Sequence, residues 1–160
     1  MTVTASDGSS AAAEKISELA LGSARTVAAA ESLTGGHISC LLGAASSSSD
    51  WYRGSIVAYS SEVKYRLLGV PPGPVVSEES ARRMAAATAR LLDADTVVAV
   101  TGAAGPDPQD GQEPGTVWVG LFDRGTVTAE RKHFPGGPSD VVEQTSRYAL
   151  ELLAECLAHE

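Results

Sequence analysis

The chain has 160 residues, 43% hydrophobic and 20% charged, enough for one globular domain with a substantial core. Asp and Glu total 20 against 12 Lys and Arg, a net charge of −8, which excludes a nucleic-acid surface, because polyanions are held by clustered cations. Cys40 and Cys156 read as free thiols in a reducing compartment, and His37, His133 and His159 lack metal-ligand spacing, so no metal site or cofactor is expected.

No apolar run reaches the roughly 18 residues of a membrane span. Met1 to Ser10 is Ser/Thr-rich, lacks the basic-then-apolar order of a signal peptide and reads as a disordered lead-in. That places the domain at residues 11–158 and the protein in the cytoplasm.

Ala11 to Leu21 carries Ile16, Leu19 and Ala20 among Glu14, Lys15 and Glu18, a helical spacing that Gly22 ends. Thr26 to Ala30 reads as a short buried strand, Ser32 to Gly36 as a turn, and Ile38 to Leu42 as an apolar helix. Ala44 to Asp50 is a serine-rich loop, and Ser55 to Tyr59 reads as a second strand. Ser60 or Ser61 caps a helix that runs to Leu68 and stops at Gly69. Pro71 to Pro74 is a rigid loop. Ser77 caps the next helix, to about Leu92, with Glu78 and Glu79 in its first turn, where carboxylates suit the dipole. Asp95 to Thr101 is the clearest buried strand, and Gly102 to Gly115 is a long Gly/Pro/Asp loop of a length that often carries function. Thr116 to Phe122 and Thr126 to Phe134 flank Asp123-Arg124-Gly125 as a hairpin, and Asp140 to Leu157 closes the chain as a helix. Alternating helices and strands with one late hairpin predict a three-layer α/β domain with a mixed sheet.

Ligands of open α/β sheets sit at the carboxyl ends of the strands, and three segments lie there. The first is Glu31-Ser32-Leu33-Thr34-Gly35-Gly36, where a hydroxyl precedes a glycine turn at a helix start, a place that suits a phosphate or a developing oxyanion. The same residues also read as a plain turn in which Ser32 caps the helix. The second is Tyr59-Ser60-Ser61, with Lys64 one turn into the following helix. A confined lysine can act as base towards a serine, although a solvated helix lysine is the commoner case. Glu31 can orient Lys64 or pair with another cation, and Tyr59 can bond a substrate or simply pack. The third is Thr101 to Asp107, where backbone can approach a ligand and Thr101 can donate to it, or where the strand simply exits tightly. Ser46 to Ser49 reads as a hydroxyl-rich lid or a plain loop, and His37 as a ligand contact or a solvated side chain.

Ala30 to Gly36 resembles the AES-x-TGG signature of the CinA C-terminal domain family, which includes nicotinamide-nucleotide amidohydrolases. Trp51 to Lys64 is similar to that family's F-x-G-G-V-V-x-Y-S-N-x-x-K, and Thr101 to Asp107 to its TG-I-AGPD. Leu67-Leu68-Gly69-Val70, Val76-Ser77, Met84-Ala85 and Gly115 to Gly120 (GTVWVG) fit in the same order, so the resemblance covers about residues 11–158. It implies a three-layer α/β/α sandwich with a mixed, roughly five-stranded sheet. It also implies metal-free hydrolysis of the carboxamide of nicotinamide mononucleotide to nicotinate mononucleotide and ammonia.

Carried onto this sequence, the resemblance makes Ser32 the nucleophile, Lys64 its general base and Tyr59 a further catalytic residue. Glu31, Thr34, Gly35, Gly36, Ser48, Ser49, Thr101, Gly102 and Gly105 become substrate-binding residues. A homodimer is the expected assembly. Family members usually show F-x-G-D-R-x-x-V-R before the last helix, and here Pro138 and Val142 stand at the arginine positions with Asp140 between them. Two further readings follow: a non-catalytic binding module on the same fold, or an amidase for a substrate without a phosphate.

Overall fold

The computed structural model describes residues 7–159. Its elements in chain order are α1 (Asp7–Ser23), β1 (Val27–Glu31), α2 (His37–Gly43), α3 (Ser48–Trp51), β2 (Tyr52–Val57), α4 (Ser61–Leu68), α5 (Glu78–Leu92), β3 (Thr96–Gly102), β4 (Thr116–Asp123), β5 (Thr126–His133) and α6 (Pro138–Ala158). The sheet has five strands in the order β2-β1-β3-β4-β5. β1 runs parallel to β2 and β3, while β3, β4 and β5 are successively antiparallel. The mixed α/β sandwich expected from the sequence is therefore the fold.

β1 and β3 are buried at every position, as interior strands covered on both faces must be. Alternate residues serve opposite layers. Val27, Ala29, Val98 and Val100 pack with Ile16 of α1, Leu42 of α2 and Leu150 of α6. Ala30 and Ala99 join Leu68 of α4 and Met84 and Ala85 of α5 on the other face. α5 buries Ala81, Met84, Ala85, Thr88 and Ala89, the i, i+3, i+4 stripe of an amphipathic helix. It sits so close to β4 that a Cβ on Gly120 would lie 2.4 Å from the Ala81 carbonyl oxygen.

Several boundaries differ from the sequence reading. α1 continues through Gly22 to Ser23 and begins at Asp7, so residues 7–10 of the expected disordered lead-in are helical; residues 1–6 lie outside the described residues. Burial of Ala13, Ile16 and Ala20 holds α1 against α6 and outweighs glycine's poor helix propensity. The serine-rich loop contains the single turn α3, fixed by Trp51, which is 2% exposed and donates its indole N–H to the Ser46 carbonyl at 3.1 Å. β2 starts three residues early and ends at Val57, because an edge strand of mixed exposure gives no alternating signal. The caps follow the sequence reading: Ser60 accepts from Val63 N–H, Ser77 accepts from Ser80 N–H, and Gly69 ends α4. Among the described residues no helix is long and apolar enough to cross a membrane.

Candidate active site

β1 lies between β2 and β3, so the exits of all three parallel strands meet at one edge of the sheet. After β1 the chain turns at once. Gly35 N–H donates to the Ser32 carbonyl and His37 N–H to the Thr34 carbonyl, both at 3.0 Å. Gly35 and Gly36 have φ of 57° and 106°, the left-handed region where glycine costs least, and α2 follows directly.

Glu31 secures this turn from inside. It is fully buried, and its carboxylate accepts from Thr34 Oγ1 at 2.6 Å, Ile38 N–H at 2.9 Å, Ser39 N–H at 2.8 Å and the Ser39 hydroxyl. A helix start leaves backbone N–H groups without partners, and here a buried carboxylate supplies the acceptor. The Glu31 carboxylate and the Thr34 hydroxyl, expected at the substrate, are bonded to each other and to the start of α2, while the Thr34 N–H meets no acceptor among the described residues. Gly35 and Gly36 likewise shape the turn and do not line the cleft.

Ser32 is 5% exposed and lines a cleft of about 570 Å³ between the strand exits, together with Leu33, Tyr59, Ser60, Gly102 and the loop from Ala104 to Gln109. The Ser32 hydroxyl makes no hydrogen bond to another described residue, and the N–H groups of Leu33 and Thr34 meet no acceptor among them. Tyr59 stands at the mouth, 72% exposed. Lys64, one turn into α4, is 2% exposed, and its Nζ donates to the Tyr59 carbonyl at 3.2 Å. Burial pushes the Lys64 ammonium below the usual lysine range, and the Asp110 carboxylate opposes this in part.

Asp110 escaped the sequence reading, which treated residues 102–115 as one loop. It holds φ 53°, and its carboxylate accepts from Val75 N–H at 2.8 Å and Val76 N–H at 3.0 Å. Thr101 Oγ1 donates to the Val75 carbonyl at 2.7 Å and is 1% exposed. Thr101 and Asp110 thus clamp residues 75–76, and Thr101 is a packing residue where a ligand contact was expected. Ser48 and Ser49 do not line the cleft either. Ser48 Oγ donates to the Gly43 carbonyl at 3.0 Å, at the end of α2 away from the site.

A second lobe of about 480 Å³ adjoins the first and shares Leu33, Tyr59, Ala104 and Gly105 with it. Its outer wall is the first turn and a half of α6: Pro138, Ser139, Val142 and Glu143, with His37 across from them. The sequence reading started α6 at Asp140. A start at Pro138 puts residues 138, 139, 142 and 143 on one helical face, so correct capping was the missing signal. Among the described residues no group of three or more His, Cys, Asp or Glu is placed to hold a metal ion.

A mixed five-stranded sheet in an α/β sandwich is the fold this chain shares with solved CinA superfamily proteins. The CinA C-terminal domain model matches residues 9–157, and the chain belongs to that family. A CinA-like protein of Mycobacterium tuberculosis is 39% identical over 141 residues, which cover 84% of this chain and 33% of that protein. A putative competence-damage inducible protein of Lactiplantibacillus plantarum is 37% identical over 138 residues, covering 82% of this chain and 33% of that protein. The chain thus spans about a third of the length of these relatives. Among solved structures, a CinA superfamily protein of Klebsiella pneumoniae superposes with a TM-score of 0.90 at 30% identity, covering 95% of this chain and 99% of that one. The competence/damage inducible protein CihA of Agrobacterium tumefaciens gives 0.91 at 28% identity, covering 99% of this chain and all of that one.

Proposed function

We propose that this protein is a serine amidohydrolase that converts a nicotinamide-bearing carboxamide, of the nicotinamide mononucleotide class, to its acid and ammonia. The observation that carries the reading is a cleft-lining serine hydroxyl at one strand exit with a buried lysine, its pKa lowered by burial, in the helix after the next. In the neutral amine form, Lys64 Nζ takes the Ser32 proton as Ser32 Oγ bonds to the amide carbon. The carbonyl electrons move onto oxygen, and the unpaired N–H groups of Leu33 and Thr34 are the donors available to the resulting oxyanion. Collapse of that intermediate breaks the C–N bond. Lys64 returns its proton to the leaving nitrogen, which departs as ammonia. Water then attacks the acyl carbon and gives a proton to Lys64, which passes it to the departing Ser32 Oγ, releasing the acid and restoring both residues. Tyr59 at the mouth bonds the substrate, and the scheme uses no metal or cofactor. The expected homodimer belongs with this reading and is checked by light scattering.

Ammonia release from nicotinamide mononucleotide and nicotinamide riboside tests the proposal. Ser32→Ala is expected to lower kcat about 10³-fold or more while leaving the unfolding midpoint in urea unchanged. A wild-type protein that releases no ammonia from either compound overturns it. One observation favours a second reading, a binding module without turnover: the Lys64 ammonium is engaged by the Tyr59 carbonyl and not by Ser32. Thermal stabilisation by either compound without ammonia release would establish that reading instead.

A further inference from the structure

We infer that two copies of this chain associate through α4, antiparallel about a two-fold axis, and that each copy covers the mouth of its partner's cleft. The exposed large apolar side chains among the described residues are Leu21, Val57, Tyr59, Val63, Leu67 and Leu91, and four of these six fall between residues 57 and 67. α4 turns Lys64 and Leu68 into the core. One helical step to one side, about 100°, Tyr65 packs into the cluster shared with α5. One step to the other side lie Val63 and Leu67, 38% and 47% exposed. That stripe therefore faces away from α5, towards the edge of the sheet that β2 forms. β2 itself is a poor template for strand addition, because Gly54 holds φ 125°, outside the extended region.

The flank of the stripe selects a second copy as the occupant. Glu62 and Arg66 are exposed and one turn apart, and neither side chain has an ion pair or hydrogen bond among the described residues. A two-fold axis that lays α4 antiparallel on its partner keeps this flank on one side and reverses its direction. Glu62 then meets the partner's Arg66, and Arg66 the partner's Glu62. Val63 and Leu67 meet the same two residues in reverse order. An acid followed by a base, beside two apolar residues, is thus complementary to itself turned end for end. The contact is short and buries less than the roughly 800 Å² per partner of a standard interface, so the dimer is expected to depend on concentration, with Kd in the micromolar range. Tyr59 stands just before α4, 72% exposed at the mouth of both lobes, and in this pairing it lies opposite the partner's Pro71, just after the partner helix. That the covered cleft is catalytic rests on the amidohydrolase reading; association through α4 does not.

Sedimentation velocity from about 1 to 200 µM tests the association, at roughly 0.15 M salt to screen the repulsion between copies of net charge −8. The wild-type chain is expected to pass from monomer to dimer over this range. Leu67→Glu is expected to stay monomeric with an unchanged urea unfolding midpoint, since the position is exposed. Glu62→Arg and Arg66→Glu each set like charges opposite one another and are expected to weaken self-association about tenfold or more. An equimolar mixture of these two variants is expected to recover a dimer as tight as the wild type, because each then meets its opposite. A short bismaleimide is expected to join Tyr59→Cys in one copy to Pro71→Cys in the other, in a background carrying Cys40→Ser and Cys156→Ser. A wild-type chain that stays monomeric at about 200 µM, a dimer that survives Leu67→Glu, or charge variants that do not recover on mixing overturns the inference. A dimer without the cross-link overturns the covering of the cleft. Ammonia release enters neither readout, so the amidohydrolase reading and this inference stand or fall separately.

Discussion

Lys64 owes its chemistry to burial. An ammonium with 2% exposure and a single carbonyl partner loses solvation that the neutral amine does not need, so its pKa falls below the usual lysine value. Asp110 is the carboxylate that restrains the fall. If Lys64 is the base, kcat/KM rises as pH rises through its pKa. Asp110→Asn removes a charge that favours the ammonium, lowers that pKa further and is expected to shift the acidic limb of the pH profile to lower pH, with ammonia release as the readout. Lys64→Met abolishes activity and is expected to raise stability at neutral pH by about 1 kcal/mol, as removal of a strained functional group commonly does. The effect fades with alkalinity. The folded-state pKa lies below the unfolded one, so the cost of burying Lys64 is full below the folded pKa and vanishes as pH rises to the usual lysine range. Urea titrations at neutral pH and near pH 10 check that the gap between the two proteins narrows.

The element that decides the site is the β1–α2 turn. Its two glycines allow the reversal, and Glu31 ties strand end, turn and helix start into one unit. Glu31→Ala strands buried donors at Thr34 and Ile38 and is expected to cost about 3 kcal/mol in urea unfolding, with Glu31→Gln costing less because its carbonyl still accepts. Activity in the alanine variant falls with kcat more than with KM, since the turn positions the nucleophile and not the bulk of the ligand. α6 serves the site in a different way: its first turn and a half closes the second lobe, while Val141, Leu150, Leu153 and Leu157 fasten it to the sheet.

At the scale of the whole molecule, Arg25 joins parts distant in sequence. It is 5% exposed; its guanidinium donates to the carbonyls of Leu157 and His159 at 2.7 and 2.9 Å and to Asp123 at 3.3 Å. It therefore fixes the end of α6 to the approach to β1 and to the β4–β5 turn, at the end of the sheet away from the cleft. Arg25→Met is expected to cost about 3 kcal/mol in urea unfolding, since Asp123 loses a partner and two carbonyls lose donors. Because the cleft lies at the opposite edge, KM for the amide should hardly change in that variant.

Local patterns in the sequence determined the order of elements, the caps at Ser60 and Ser77, and the presence of Ser32, Tyr59 and Lys64 at strand exits. Periodicity and turn chemistry act over a few residues, and these features are local. The tertiary structure alone decided that the Glu31 carboxylate and the Thr34 and Thr101 hydroxyls are consumed by internal hydrogen bonds, that Ser48 lies beyond the far end of α2, and that Asp110 reaches back to residues 75–76. It also placed Pro138 and Val142 on the cleft wall. Such pairings join residues far apart in the chain, and whether a polar side chain faces a ligand or a backbone partner is fixed only when the layers close on one another. The net charge of −8 was readable at once; that the cleft itself has carboxylates and no Lys or Arg on its lining came from the packing of α2 and α6 around it.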